Sequence, residues 1–127
     1  HDSYSNESGA ISNERLEFLG DAVLELAACR YVYSLTDYGE GKMTDFKQSI
    51  VCNRRISESL ISYGLDIDGI MMVGNGHRDQ VTGIPIVNEN MRADAFEALL
   101  AAIYLTYGFE EVFRIVRDIL IDPKRNG

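Results

Sequence analysis

The chain has 127 residues, 46% of them hydrophobic and 25% charged, with 12 Lys and Arg against 20 Asp and Glu and a net charge of −8. That size and composition describe one globular domain, 1–127, and exclude disorder; no apolar run is long enough for a membrane span and no signal peptide is visible. The acidic balance also excludes nucleic-acid binding by bulk attraction alone, so any polyanion ligand needs something to overcome the repulsion.

Asn13 opens the first predicted helix, with Leu16, Leu19, Val23, Leu26 and Ala27 on one face, continuing to about Leu35. Two glycines in DYGEG break it. Thr44 is the predicted N-cap of a second helix, Asp45 to Tyr63, with Ile50, Val51, Ile56 and Leu60 inward and Gly64 at its end. Ile67 to Val73 reads as another helical turn or two, and GNGHRDQVTGIP as a loop. Asn88 or Asn90 caps a third long helix that reaches Tyr107 and stops at Gly108. Phe109 to Ile121 forms the last helix, and DPKRNG is a tail. Strand-like alternation is nearly absent, so the fold class is all-α. Cys29 and Cys52 fall among apolar neighbours and are expected as buried, reduced thiols. With His1 and His77 the only histidines and no CxxC, structural zinc is not expected.

Two helices carry acids where acids are costly. Glu14, Glu17, Asp21 and Glu25 follow one another at spacings of three, four and four, which lines them along one stripe with no Lys or Arg on it. The stripe lies almost opposite a face centred on Val23, with Phe18 and Leu24 beside it. A solvated surface is one reading. In MRADAFEALLAAIYLTYG, Asp94 and Glu97 stand one turn apart on a face shared with Ala98, Ala101 and Leu105, while Phe96, Leu99, Leu100 and Ile103 occupy the other. A helix apolar nearly all round is buried on most sides, and buried acids need partners. If Asp94 and Glu97 face Glu17 and Asp21, the second reading is a hard divalent cation, Mg²⁺ or Mn²⁺, held by oxygen ligands alone. One or two such ions about 3.5–4 Å apart convert an acidic pocket into a phosphate-binding one.

NERLEFLGDAVLEL resembles the signature of the ribonuclease III family, and ADAFEALLAAIYLTYG resembles that family's second signature. EGKMTDFKQSIVCN and VGNGHRDQVTG are similar to segments between them, so the resemblance covers essentially the whole chain. It implies a compact bundle of about five to seven helices, a homodimer, and a metal-dependent endoribonuclease that hydrolyses double-stranded RNA to 5′-phosphate and 3′-hydroxyl ends in the cytoplasm. Glu17, Asp94 and Glu97 would be metal ligands for Mg²⁺, with Mn²⁺ as substitute, and Asp21 would complete the catalytic cluster. Glu14 and Glu40 match accessory acidic positions. Glu25 has no implied role and is taken as surface. Phe18 would pack into the partner of the homodimer; a core residue beside the stripe is its alternative. HDSYSNE resembles a family segment that normally follows an N-terminal helix, so that helix and the C-terminal double-stranded-RNA-binding domain are expected to lie outside these residues. His77 and Arg78 depart from the family loop.

Two rivals remain. An inactive family member acting as an RNA-binding scaffold would have no use for the acidic cluster. A di-metal carboxylate oxidase would need Glu-x-x-His motifs, and no predicted helix contains a histidine.

Overall fold

A computed structural model describes residues 4–67 and 88–122, with side chains from Asn13 onward. Five α-helices occur among them: α1 (Tyr4–Leu35), α2 (Glu40–Val51), α3 (Asn53–Tyr63), α4 (Glu89–Tyr107) and α5 (Phe109–Val116), the last widening into a π-helical segment, Arg117–Ile121. Among the described residues there is no strand, as expected for an all-α chain. Most of the expected segment 67–73, the glycine-rich loop with His77 and Arg78, and the end of the tail fall outside the described residues.

The longest helix, α1, runs about 48 Å at the usual rise per residue and packs chiefly against α4. Its buried positions are Val23, Leu24, Ala27, Ala28 and Val32. This corrects the expected face. Leu26 is 54% exposed, whereas Leu24, expected beside the acidic stripe, is fully buried. The physical reason is closeness of approach at Gly20, where a Cβ would meet the Glu97 backbone of α4, with the small Ala27 and Ala28 buried further along the helix. That rotation brings Glu17 and Asp21 to the edge of the α1–α4 seam, no longer opposite the core.

The second predicted helix is two helices. Glu40, not Asp45, begins α2, and Thr44 lies inside it, so it caps nothing. At Cys52 the backbone turns extended (φ −71°, ψ 150°) and α3 restarts at Asn53. The break lets Ile50 and Val51 of α2 and Ile56 and Leu60 of α3 all reach one core, where they are buried with Phe96, Leu100, Val112 and Val116. Neither cysteine is fully buried: Cys29 is exposed and Cys52 intermediate, and both are free thiols. Because α1 presents its small residues to α4, Cys29 is left on the outer side of the helix.

Asn88 caps α4, its side-chain oxygen accepting from the Met91 N–H at 2.9 Å, a contact worth about 1 kcal/mol. At the other end Gly108 adopts φ 95°, a conformation that strains any side chain, and turns the chain directly into α5. Arg30 ties α1 to α5: its Nη1 donates to Glu110 Oε2 at 2.8 Å while the guanidinium lies 4.2 Å from the centre of the Phe113 ring. Arg55 Nη2 donates to the Leu120 carbonyl at 2.8 Å, satisfying a backbone acceptor of the π-helical segment.

Candidate active site

The acids of α1 and α4 meet at one seam, and a glycine sets how close they come. A Cβ on Gly20 would overlap the carbonyl carbon and oxygen of Glu97 and lie 2.9 Å from its Cα. Position 20, one residue before Asp21, is therefore where the backbone of α4 touches α1. The Ala98 and Ala101 side chains on the same helix are buried, as their small size allows.

Glu97 sits deepest in the cluster. Burial first, then the carboxylates of Asp21, Asp94 and Glu17 and a hydrogen bond with Asp21, push its pKa from 4.5 to about 8. At neutral pH it therefore keeps its proton. Burial raises Glu17 as well, with Asp94 and Glu14 adding to it, and burial raises Asp94. Four side chains that the sequence placed on two separate helices thus act on one another across the seam. Asn13, one turn before Glu17, donates from Nδ2 to Glu17 Oε2 at 2.6 Å.

The remaining acids divide. Glu14 is exposed but close enough to Glu17 to repel it. Glu25 leaves the cluster by ion pairing with Lys47 of α2, Nζ to Oε1 at 2.9 Å, so the stripe has a cation that comes from another helix. Glu40 lines a cleft between α1 and α2 with Cys29, Val32 and Tyr33, which puts it apart from the other acids in the same chain. Cys29 is eight positions beyond Asp21 on α1, about 12 Å along its axis.

The donor set is oxygen only, as a hard divalent cation requires. Glu97 holds a proton where positive charge is favoured, and a cation would serve the same end. Among the described residues no three acidic, His or Cys side chains already converge as a ligand set. The carboxylates are gathered on the seam without being drawn to ligand distance.

The raised Glu97 pKa has a pH consequence. The folded protein keeps a proton that the unfolded chain releases near 4.5, so without divalent ions stability falls as pH rises from that value to about 8, then levels. Glu97→Gln should remove this slope. Chelated Glu97→Gln protein is expected to gain on the order of 2 kcal/mol over wild type at pH 8.5, after discounting for solvent screening, and little at pH 4.5. Urea midpoints at the two pH values test this; equal gains at both would contradict it.

Comparison with known proteins reaches the same group. The Ribonuclease-III-like family model matches residues 1–124. The chain is 41% identical over 128 residues to Ribonuclease 3 of Oceanobacillus iheyensis, covering 98% of this chain and 54% of that one. It is 37% identical over 131 residues to Ribonuclease 3 of Shouchella clausii, covering 100% of this chain and 48% of the relative. For Ribonuclease 3 of Caldanaerobacter subterraneus subsp. tengcongensis the identity is 35% over 133 residues, covering 100% and 56%. The chain thus spans about half the length of the curated relatives it matches. No solved structure matches it. A match over nearly every residue, joined to both signature helices packed against each other, makes this chain a member of the Ribonuclease-III-like family.

Proposed function

We propose that this chain is the catalytic domain of a metal-dependent endoribonuclease that hydrolyses double-stranded RNA, leaving 5′-phosphate and 3′-hydroxyl ends. The observation that carries the reading is the Glu17–Asp21–Asp94–Glu97 cluster on the α1–α4 seam, in which Glu97 is raised by burial and by three neighbouring acids. Glu17, Asp94 and Glu97 would hold Mg²⁺, or Mn²⁺ in its place, with Asp21 completing the set. When bound, the cation supplies positive charge to the phosphodiester and to the departing 3′ oxygen. Without metal, Glu97 keeps the proton of its hydrogen bond with Asp21; binding a cation would require its release, and the cation would then offset the repulsion between the two carboxylates. Glu17 is steadied from the far side by Asn13. RNA of A-form shape is recognised through phosphates and 2′-hydroxyls, a contact that the chain's acidic balance makes dependent on divalent ions.

A second copy of the chain is the expected partner. Phe18 is 82% exposed, and Ala22, Leu26, Cys29 and Tyr33 continue an exposed, mostly apolar stripe at helical spacing along α1. Contiguous apolar surface of this kind marks an interface. Phe18→Ala should weaken homodimerisation about 30-fold or more, as loss of an aromatic anchor does. Sedimentation equilibrium measures it, and an unchanged dimer would refute the assignment. A cytoplasmic setting follows from the proposed activity; among the described residues no helix is long and apolar enough to cross a membrane.

The test of the activity is cleavage of a perfect RNA duplex with Mg²⁺ and with chelator, with the ends of the products mapped. Cutting only with Mg²⁺ supports the proposal. No cutting by a folded, dimeric, metal-loaded chain would favour the RNA-binding scaffold.

A further inference from the structure

Asn13 stands in the interior of α1, where asparagine is a poor helix former because its side chain competes for backbone partners. Among the described residues its partner is a side chain and not the backbone. Its amide reaches along the helix to the carboxylate one turn later, Nδ2 to Glu17 Oε2 at 2.6 Å, and the side chain is half-buried. A carboxylate can only accept, so the amide nitrogen must be the donor.

From this geometry we infer that Asn13 is a positioning residue for Glu17, fixing one carboxylate oxygen so that the other is presented to a divalent cation. The inference rests on the metal-site reading above. Three features of the contact fit that role. The bond restrains a side chain with three rotatable torsions that neighbouring acids push away. It engages Oε2, and among the described residues no hydrogen bond reaches Oε1. It comes from a neutral group: a Lys or Arg at position 13 would cancel the negative charge that draws the cation, whereas an amide orients the carboxylate and leaves its charge in place. Glu14, the next residue, repels Glu17 and supplies no donor, so Asn13 is the group that holds Glu17 against its acidic surroundings. Partners that orient a metal ligand typically change metal affinity by about 10–100-fold when removed.

The experiment is calorimetric titration of Mn²⁺ into wild type, Asn13→Ala and Asn13→Gln without RNA, with thermal unfolding of each in chelator. Alanine raises helix propensity at this position, so the first variant folds. Asn13→Ala should bind Mn²⁺ about 10–100-fold more weakly with its chelated midpoint preserved, and Asn13→Gln, which keeps an amide, should recover most of the loss. Wild-type affinity in Asn13→Ala would overturn the inference, as would equal weakening of both variants, because the donor would then be irrelevant. If wild type itself binds no Mn²⁺, the metal-site reading fails and takes this inference with it.

Discussion

Gly20→Ala is expected to destabilise the protein by about 2 kcal/mol or more, although alanine favours helix over glycine by about 1 kcal/mol. The position lies in the long α1 helix, so propensity alone predicts a gain. The added Cβ, however, would enter the Glu97 carbonyl group, and the obstacle is backbone that no rotamer change can remove. Either α1 and α4 part, which opens the core around Leu24, Phe96 and Leu100, or the seam tilts and the four acids separate. Both routes move Glu97 relative to Glu17 and Asp21. A displacement of about 1 Å at a reacting centre can cost on the order of a hundredfold in rate, so cutting of duplex RNA should fall even where the variant remains folded. Urea unfolding and single-turnover cleavage measure the two effects. A variant as stable and as active as wild type would mean that the helices do not touch at this glycine.

The second large effect is expected from the acids themselves. Glu97→Ala should reduce Mg²⁺-dependent cleavage by on the order of a thousandfold or more, exceeding the 10–100-fold typical of outer partners, because it would remove a proposed ligand of the metal and not a partner behind one. Folding should survive, since the deleted carboxyl is one whose charged form burial and three neighbouring acids disfavour. Glu25→Ala provides the contrast within the acidic stripe. Glu25 is committed to Lys47 on α2, an ion pair that is partly exposed and worth little. Its removal should leave cleavage within a few-fold of wild type. Equal losses in the two variants would show that the stripe acts only through bulk charge, and no loss in either would place the chemistry elsewhere.

Much of this arrangement is written in spacing. Asp94 and Glu97 in a helix apolar on nearly all sides require buried company, and α4 is buried against α1 as that argument demands. The cap at Asn88, the stop at Gly108 and the inward set of Ile50, Val51, Ile56 and Leu60 follow from local chemistry and occur as expected. What spacing does not carry is geometry decided between elements. No glycine or proline marks the break at Cys52, because the demand for it comes from a core that both α2 and α3 must reach. The face of α1 is misjudged from bulk alone: Leu26 looks inward by size, yet it is exposed while Leu24, Ala27 and Ala28 are buried. Small residues seven and eight positions beyond Gly20 were the available signal. That same misjudgement explains Cys29, left exposed on the outer side, and the acidic stripe, found at the edge of the seam and not opposite the core. Lys47 as partner of Glu25 is a contact between helices that no pattern within either one encodes. Both signatures read correctly as resemblance, while the reason for the glycine between their acids needed the fold.

If the α1–α4 seam is a divalent-cation site, binding of the cation has a direct thermodynamic signature. Glu97 holds its proton to about pH 8, and a metal ligand must be deprotonated. Mg²⁺ should therefore be titrated into the chain at pH 7 in two buffers of different ionisation enthalpy, which counts the protons released on binding. Saturable binding with release of about one proton is expected, with loss of both in Glu97→Gln. Binding without proton release, binding unchanged in Glu97→Gln, or no saturable binding would contradict it.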